Sequence, residues 1–172
     1  MTFRDRFVFA VMIIPVVLVL DQLTKSLILR TDRLRAFECL DPAVPCGKIE
    51  VSGIFDISMV WNRGISFGTL QSDGIWRWIL VAATIIIACG FAVWLFRSAN
   101  RITAAALSLV IAGAIGNVID RVRFGAVVDF LDFSGLWFPY VFNVADSAIT
   151  VGAALLLLDQ LVLSPPQGQS AE

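Results

Sequence analysis

The chain has 172 residues, 58% of them hydrophobic and 16% charged, with a formal net charge of −1 and no histidine. A soluble domain carries about 45–50% apolar and about 25% charged residues, so a mean hydropathy of +0.84 points instead to one compact membrane domain. The near-neutral charge, without a basic block, argues against a nucleic-acid partner, and the missing histidine excludes Ser-His hydrolysis and zinc proteolysis.

A spanning helix needs about 20 mainly apolar residues, and segments at about 7–29, 75–96, 102–119 and 141–163 qualify. The first is not expected to be a removable signal peptide, because its apolar run continues past Asp21 and Lys25 to Leu29 without a small-residue cleavage site. Asp21 and Lys25 lie one helical turn apart and can pair on one face. The pair either neutralises a helix end near the interface or braces another polar site.

The segment after the first span is more than a connection. Cys39 and Cys46 bracket a proline-bearing loop and are either a disulfide, if that loop faces an oxidising space, or two free thiols. Over about 45–70, Ile49, Val51, Ile54, Phe55, Ile57, Met59 and Trp61 alternate approximately across Gly53, as short strands or a hairpin do. Asn62 and Gly64 then mark a turn, followed by a small amphipathic piece. Trp61, Trp76 and Trp78 suit an interfacial aromatic belt. These features predict an all-α membrane protein of four spans, with a small interfacial β-sheet and a short amphipathic segment on one face. Residues 1–163 form one domain, and 164–172 are a disordered tail. Cys89 reads as a small buried hydrophobe.

The third span begins the stretch around which the chain is organised. Asn117, Asp120, Arg121, Asp129, Asn143 and Asp146 all sit at or inside segments apolar enough for lipid. Charges there are costly and mark functional candidates. A short turn lets Asp129 fold back towards Asp146, and Asp146 opens the last span, where a helix N-terminus favours an anion. Two carboxylates sharing a site hold one proton between them. One can then activate water while the other polarises a carbonyl and later protonates the leaving amine. That is aspartic proteolysis, which needs no metal or cofactor. Asp120, beside Arg121, reads as an ionised brace; Arg121 can tie carbonyls or carboxylates, and Asn117 and Asn143 can orient a carboxylate. For these residues, and for Asn62 and Gly64, a purely structural role is as open as substrate contact.

The motifs Asp21-Gln22-x-x-Lys25, Asn62-Arg-Gly64-Ile-Ser66-Phe67, Gly113-Ala-Ile-Gly116-Asn117-x-x-Asp120-Arg121, Val127-Val128-Asp129-Phe130 and Phe142-Asn143-x-Ala145-Asp146 occur in that order. Together they resemble signal peptidase II, the lipoprotein signal peptidase of bacteria. The resemblance implies a four-helix inner-membrane aspartyl endopeptidase without cofactor, with Asp129 and Asp146 as the catalytic pair. It implies cleavage of diacylglyceryl-modified prolipoproteins just before the lipidated cysteine, and it marks Asp21, Lys25, Asn62, Gly64, Asn117, Asp120, Arg121 and Asn143 as supporting positions. A monomer with cytoplasmic termini and a site near the outer face is expected. Counting positive residues leans the other way, because Lys25 to Arg63 outnumber Arg4, Arg6, Arg97 and Arg101. The family often has two glycines where this chain has Ala112-Gly113, and the Cys39–Cys46 segment looks like an addition. A transporter or channel, and a non-enzymatic scaffold, are the alternatives; neither broken helices nor internal symmetry supports the former.

Overall fold

The computed structural model describes residues 2–36, 48–64, 74–98 and 100–163. Cys39, Cys46, the amphipathic piece after Gly64 and the tail from 164 lie outside these residues. The elements are α1 (Phe3–Arg30), α2 (Asp32–Ala36), β1 (Lys48–Glu50), β2 (Asp56–Asn62), α3 (Ile75–Arg97), α4 (Arg101–Phe124), β3 (Val127–Asp132), β4 (Val141–Phe142) and α5 (Val144–Leu158), which continues as a π-turn over Asp159–Leu163. Among the described residues, α1, α3, α4 and α5 are long and apolar enough to cross a membrane. Cys89 on α3 is exposed, not buried.

Side-chain caps open α1, α4 and α5. A Thr2–Asp5 capping box opens α1, Asn100 caps α4 through the Ile102 N–H, and left-handed Gly125 ends α4. Pro15 inside α1 is tolerated, as spanning helices often allow. The last span corrects the sequence boundary. Val141 and Phe142 form β4, and the helix begins at Val144 with Asn143 as its cap.

Helix α4 is the centre of the bundle. Inside the protein lies 67% of its apolar window, against 6% for α1. It approaches α5 closely because both carry glycine at the crossing: a Cβ on Gly113 would lie 2.3 Å from the Ala145 carbonyl, and one on Gly152 would lie 2.7 Å from the Ala106 carbonyl. Small residues let helix backbones meet in lipid, where there is no hydrophobic drive between them.

The sheet runs β1-β2-β3-β4, antiparallel throughout. Val128, Phe130 and Met59 pack with Ile28 near the end of α1 and Leu34 on α2, which roots the sheet on the bundle. Only the β1–β2 part is legible as alternation; β3 and β4 fall where a loop and a helix start are predicted. Pairing Ile57↔Leu131 gives way to Val60↔Asp129, so β2 carries one extra residue. Such a bulge re-aims the strand beyond it and places Asn62 over Asp129.

Candidate functional site

Asp129 lies on β3 and is 2% exposed, while Asp146 is the third residue of α5 and half-buried. The sequence Asn143-Val-Ala-Asp146 is a capping box. Asn143 Oδ1 accepts from the Asp146 N–H at 2.9 Å, and Asp146 Oδ2 accepts from the Asn143 N–H at 3.3 Å. The same Asn143 side chain donates to Asp129 Oδ1 at 2.7 Å. One residue therefore caps the helix of one aspartate and holds the carboxylate of the other. Asn62 donates to the remaining Asp129 oxygen at 3.0 Å, and Asn117 donates to Asp146 Oδ1 at 2.7 Å. Burial, with the charge of Asp146 beside it, raises the Asp129 carboxyl to about 7 against the donation from Asn62 and Asn143.

Beneath the pair lies a buried charge cluster. Lys25 Nζ is 2.9 Å from Asp21 Oδ2 and 2.9 Å from Asp120 Oδ2. Asp21 Oδ1 accepts from the Ala145 N–H at 3.0 Å, one residue before Asp146. Asp120 Oδ2 accepts from the Val128 N–H at 3.1 Å, one residue before Asp129. A single lysine thus joins two carboxylates, each of which fixes the backbone next to one member of the pair. Gly116 is required here, because a Cβ would lie 2.6 Å from Asp21 Oδ2.

The other predicted positions divide. Asp120 faces Lys25 rather than its neighbour Arg121, because adjacent helical residues point about 100° apart. Arg121 stands within electrostatic reach of Asp146, Asp129 and Asp120, with its Nε unmatched by a hydrogen bond. Gly64 has φ 127° and donates to Asn62 Oδ1 at 3.0 Å, steadying the Asn62 amide on Asp129. Gln22, part of the Asp21-Gln22-x-x-Lys25 motif but without a role read from the sequence, donates to both Asp21 and Asp120 at 3.1 Å. Its position next to Asp21, on a helix facing α4, was the available signal.

Two depressions reach the pair. One, of about 540 Å³, is walled by Phe133, Leu136, Phe138, Phe142 and α5 and ends at Asp146. The other, of about 380 Å³, runs past Trp61, Asn62, Arg63 and Gly64 to Asp129. Tyr140 borders both. Among the described residues no cluster of acidic, cysteine or histidine side chains is arranged to hold a metal. Chemically, the arrangement offers two adjacent carboxyl groups with different environments, fixed from behind and open from two sides.

Residues 13–162 match the family model described as Signal peptidase (SPase) II. A lipoprotein signal peptidase of Caulobacter vibrioides is 43% identical over 151 residues, covering 87% of this chain and 84% of that protein. One from Rhizorhabdus wittichii is 43% identical over 155 residues, covering 88% and 85%. A bacterial membrane enzyme solved by the in meso method at 2.3 Å resolution superposes with a TM-score of 0.75 at 29% identity, over 95% of this chain and 94% of that one.

Proposed function

Because the chain belongs to the signal peptidase II family, an aspartic-type peptidase family that removes signal peptides from prolipoproteins, we propose that it cleaves the peptide bond just before a diacylglyceryl-modified cysteine, using water activated between Asp129 and Asp146. The observation that carries this reading is the double role of Asn143, which ties both carboxyl groups into one unit. With its carboxyl raised to about 7, Asp129 carries the shared proton, donates to the scissile carbonyl and so polarises it. Asp146, held by Asn117 and by the helix N-terminus, takes a proton from water as that water attacks. The tetrahedral intermediate then collapses as a proton passes to the leaving amine.

Asp21, Lys25, Asp120 and Gln22 act through the backbone, whereas Asn62, Asn117 and Asn143 orient the carboxyl groups. Arg121 balances the negative charge of the three aspartates around it. A lipid-anchored substrate presents its scissile bond at a fixed depth, which matches a site at the start of a spanning helix beneath a small sheet. All groups come from one chain, so a monomer suffices.

We place the protein in the bacterial inner membrane with both termini in the cytoplasm and the site near the outer face. Two of the positive groups on the sheet side are engaged by acids, Lys25 with Asp21 and Asp120, and Lys48 with Asp56 and Asp132. That weakens the charge count pointing the other way. The test is cleavage of a diacylglyceryl-modified prolipoprotein by purified wild type, Asp129→Asn and Asp146→Asn, in detergent with a chelator. Cutting before the lipidated cysteine by wild type alone is the expected result. Retained activity in either folded variant would overturn the assignment.

A further inference from the structure

No charged side chain lies between Asp132 and Asp146, yet the middle of this loop is turned outward. Leu136, Phe138 and Tyr140 are exposed, and Trp137 is 95% exposed. Trp137 is also the one non-glycine residue among those described that has positive φ, at 63°. A left-handed backbone under a bulky side chain is unfavourable and persists only where the surroundings impose it.

Those surroundings are rigid. Gly135 lies so close to the turn before β2 that an added Cβ would meet the Gly53 carbonyl at 2.4 Å. Behind the tip, Phe133 stacks on Phe142 at 5.7 Å, and Phe138 meets Phe142 and Tyr140 edge-on at 5.8 and 5.5 Å. Trp137 joins none of these ring pairs. In water this would be a doubly poor arrangement, with a large apolar ring left wet and a strained backbone holding it there. Both become reasonable if the ring enters a second phase.

The surface around the loop identifies that phase. The loop runs directly into α5, and Leu136 and Phe138 share one depression with Thr150 and Val151 of that helix. Val151 is half-exposed on a helix that crosses the membrane, so its outward face meets lipid. The apolar surface is therefore continuous from the lipid-facing side of α5 to the loop tip. We infer that Leu136–Tyr140 is a membrane-interface anchor whose partner is the bilayer itself. Trp137 seats at the boundary of headgroups and acyl chains, in the leaflet where α5 begins. Its ring is then out of water while its indole N–H reaches the polar layer, the division of labour for which tryptophan is favoured at interfaces. The rigid base transmits that depth to the sheet, so the anchor sets the height of β3 relative to the membrane. This holds whichever residues do the chemistry.

The test compares wild type with Trp137→Phe in phosphatidylcholine vesicles whose acyl chains are brominated. The difference in emission between the two proteins isolates the Trp137 signal. It should be blue-shifted, lost in brominated lipid and unresponsive to aqueous acrylamide. Should the variant fail to fold, hydroxyl-radical footprinting of wild type in lipid nanodiscs reads the same residue by mass. There Trp137 should be protected while exposed residues outside the anchor, such as Val51 between β1 and β2, react more. Quenching by acrylamide with full oxidation would overturn the inference. So would lipid quenching that appears only after a lipid-modified substrate is added. Protection that follows protein concentration rather than lipid would assign the surface to a second copy and overturn it as well.

Discussion

Replacing Asp129 with Asn should abolish cleavage and yet stabilise the protein at neutral pH. In the folded protein the Asp129 carboxyl is raised from 3.8 to about 7, chiefly by burial and then by the charge of Asp146. Between those values the folded state binds the proton that the unfolded state has released. Stability therefore falls as pH rises from about 4 to about 7. At about 1.4 kcal/mol per unit, the ionised Asp129 costs on the order of 4 kcal/mol above this window. Asparagine removes that cost but turns an amide N–H₂ towards either Asn62 or Asn143, both of which donate to Asp129. One lost hydrogen bond is worth about 1 kcal/mol. The net expectation is a variant more stable by about 3 kcal/mol at pH 8 and less stable by about 1 kcal/mol at pH 4. Thermal or denaturant unfolding of both proteins in one detergent, across pH 4 to 8, checks this. The curves should cross. A difference that does not vary with pH, or a wild type that is the more stable at pH 8, would refute the electrostatic account of the pair.

Lys25→Met keeps the length of the side chain but leaves Asp21 and Asp120 buried against each other. Removing one partner of a buried charge cluster costs about 3–5 kcal/mol, and because both aspartates are positioned through it, cleavage at permissive temperature should fall as well. Gly113→Ala places a methyl group 2.3 Å from the Ala145 carbonyl and should cost about 1–3 kcal/mol as α4 and α5 separate. Gly90→Ala on α3, where nothing lies within 4 Å, is the control and should leave cleavage unchanged while stability stays the same or rises by up to about 1 kcal/mol.

The architecture was legible wherever a single helix or strand carried its own signal. Four apolar runs became four spans, and the alternation from Ile49 to Trp61 became β1 and β2. Spacing alone linked Asp21 to Lys25. What stayed hidden depends on contacts across the chain. Val127–Asp132 is a short apolar strand between two spans, and nothing in its composition separates it from a loop until β2 pairs with it. Val141–Phe142 is continuous in hydropathy with α5, so only the Asn143 cap, itself readable as an N-cap, could have moved the helix start. Adjacency in sequence pairs Asp120 with Arg121, whereas helical geometry turns it towards Lys25 on another span. Asp159 has no partner near it in sequence to mark it within its apolar run, yet it is 1% exposed and accepts from Asn100 and Thr103 at the start of α4.

The burial of α4 bears on how the protein is made. Asn117, Asp120 and Arg121 ride on this third span, and their partners arrive from both directions in the chain: Lys25 from the first span, Asp146 and Asn143 from the fourth. Because α5 follows α4 in the chain, α4 emerges before the last of these partners can reach it, and its polar residues then face lipid or the insertion machinery. It cannot settle until α5 closes over Gly113. A chain halted before Asn143 would hold a helix poorly suited to the bilayer and an unsealed groove. On this geometry the bundle is closed only once the fourth helix has docked on α4.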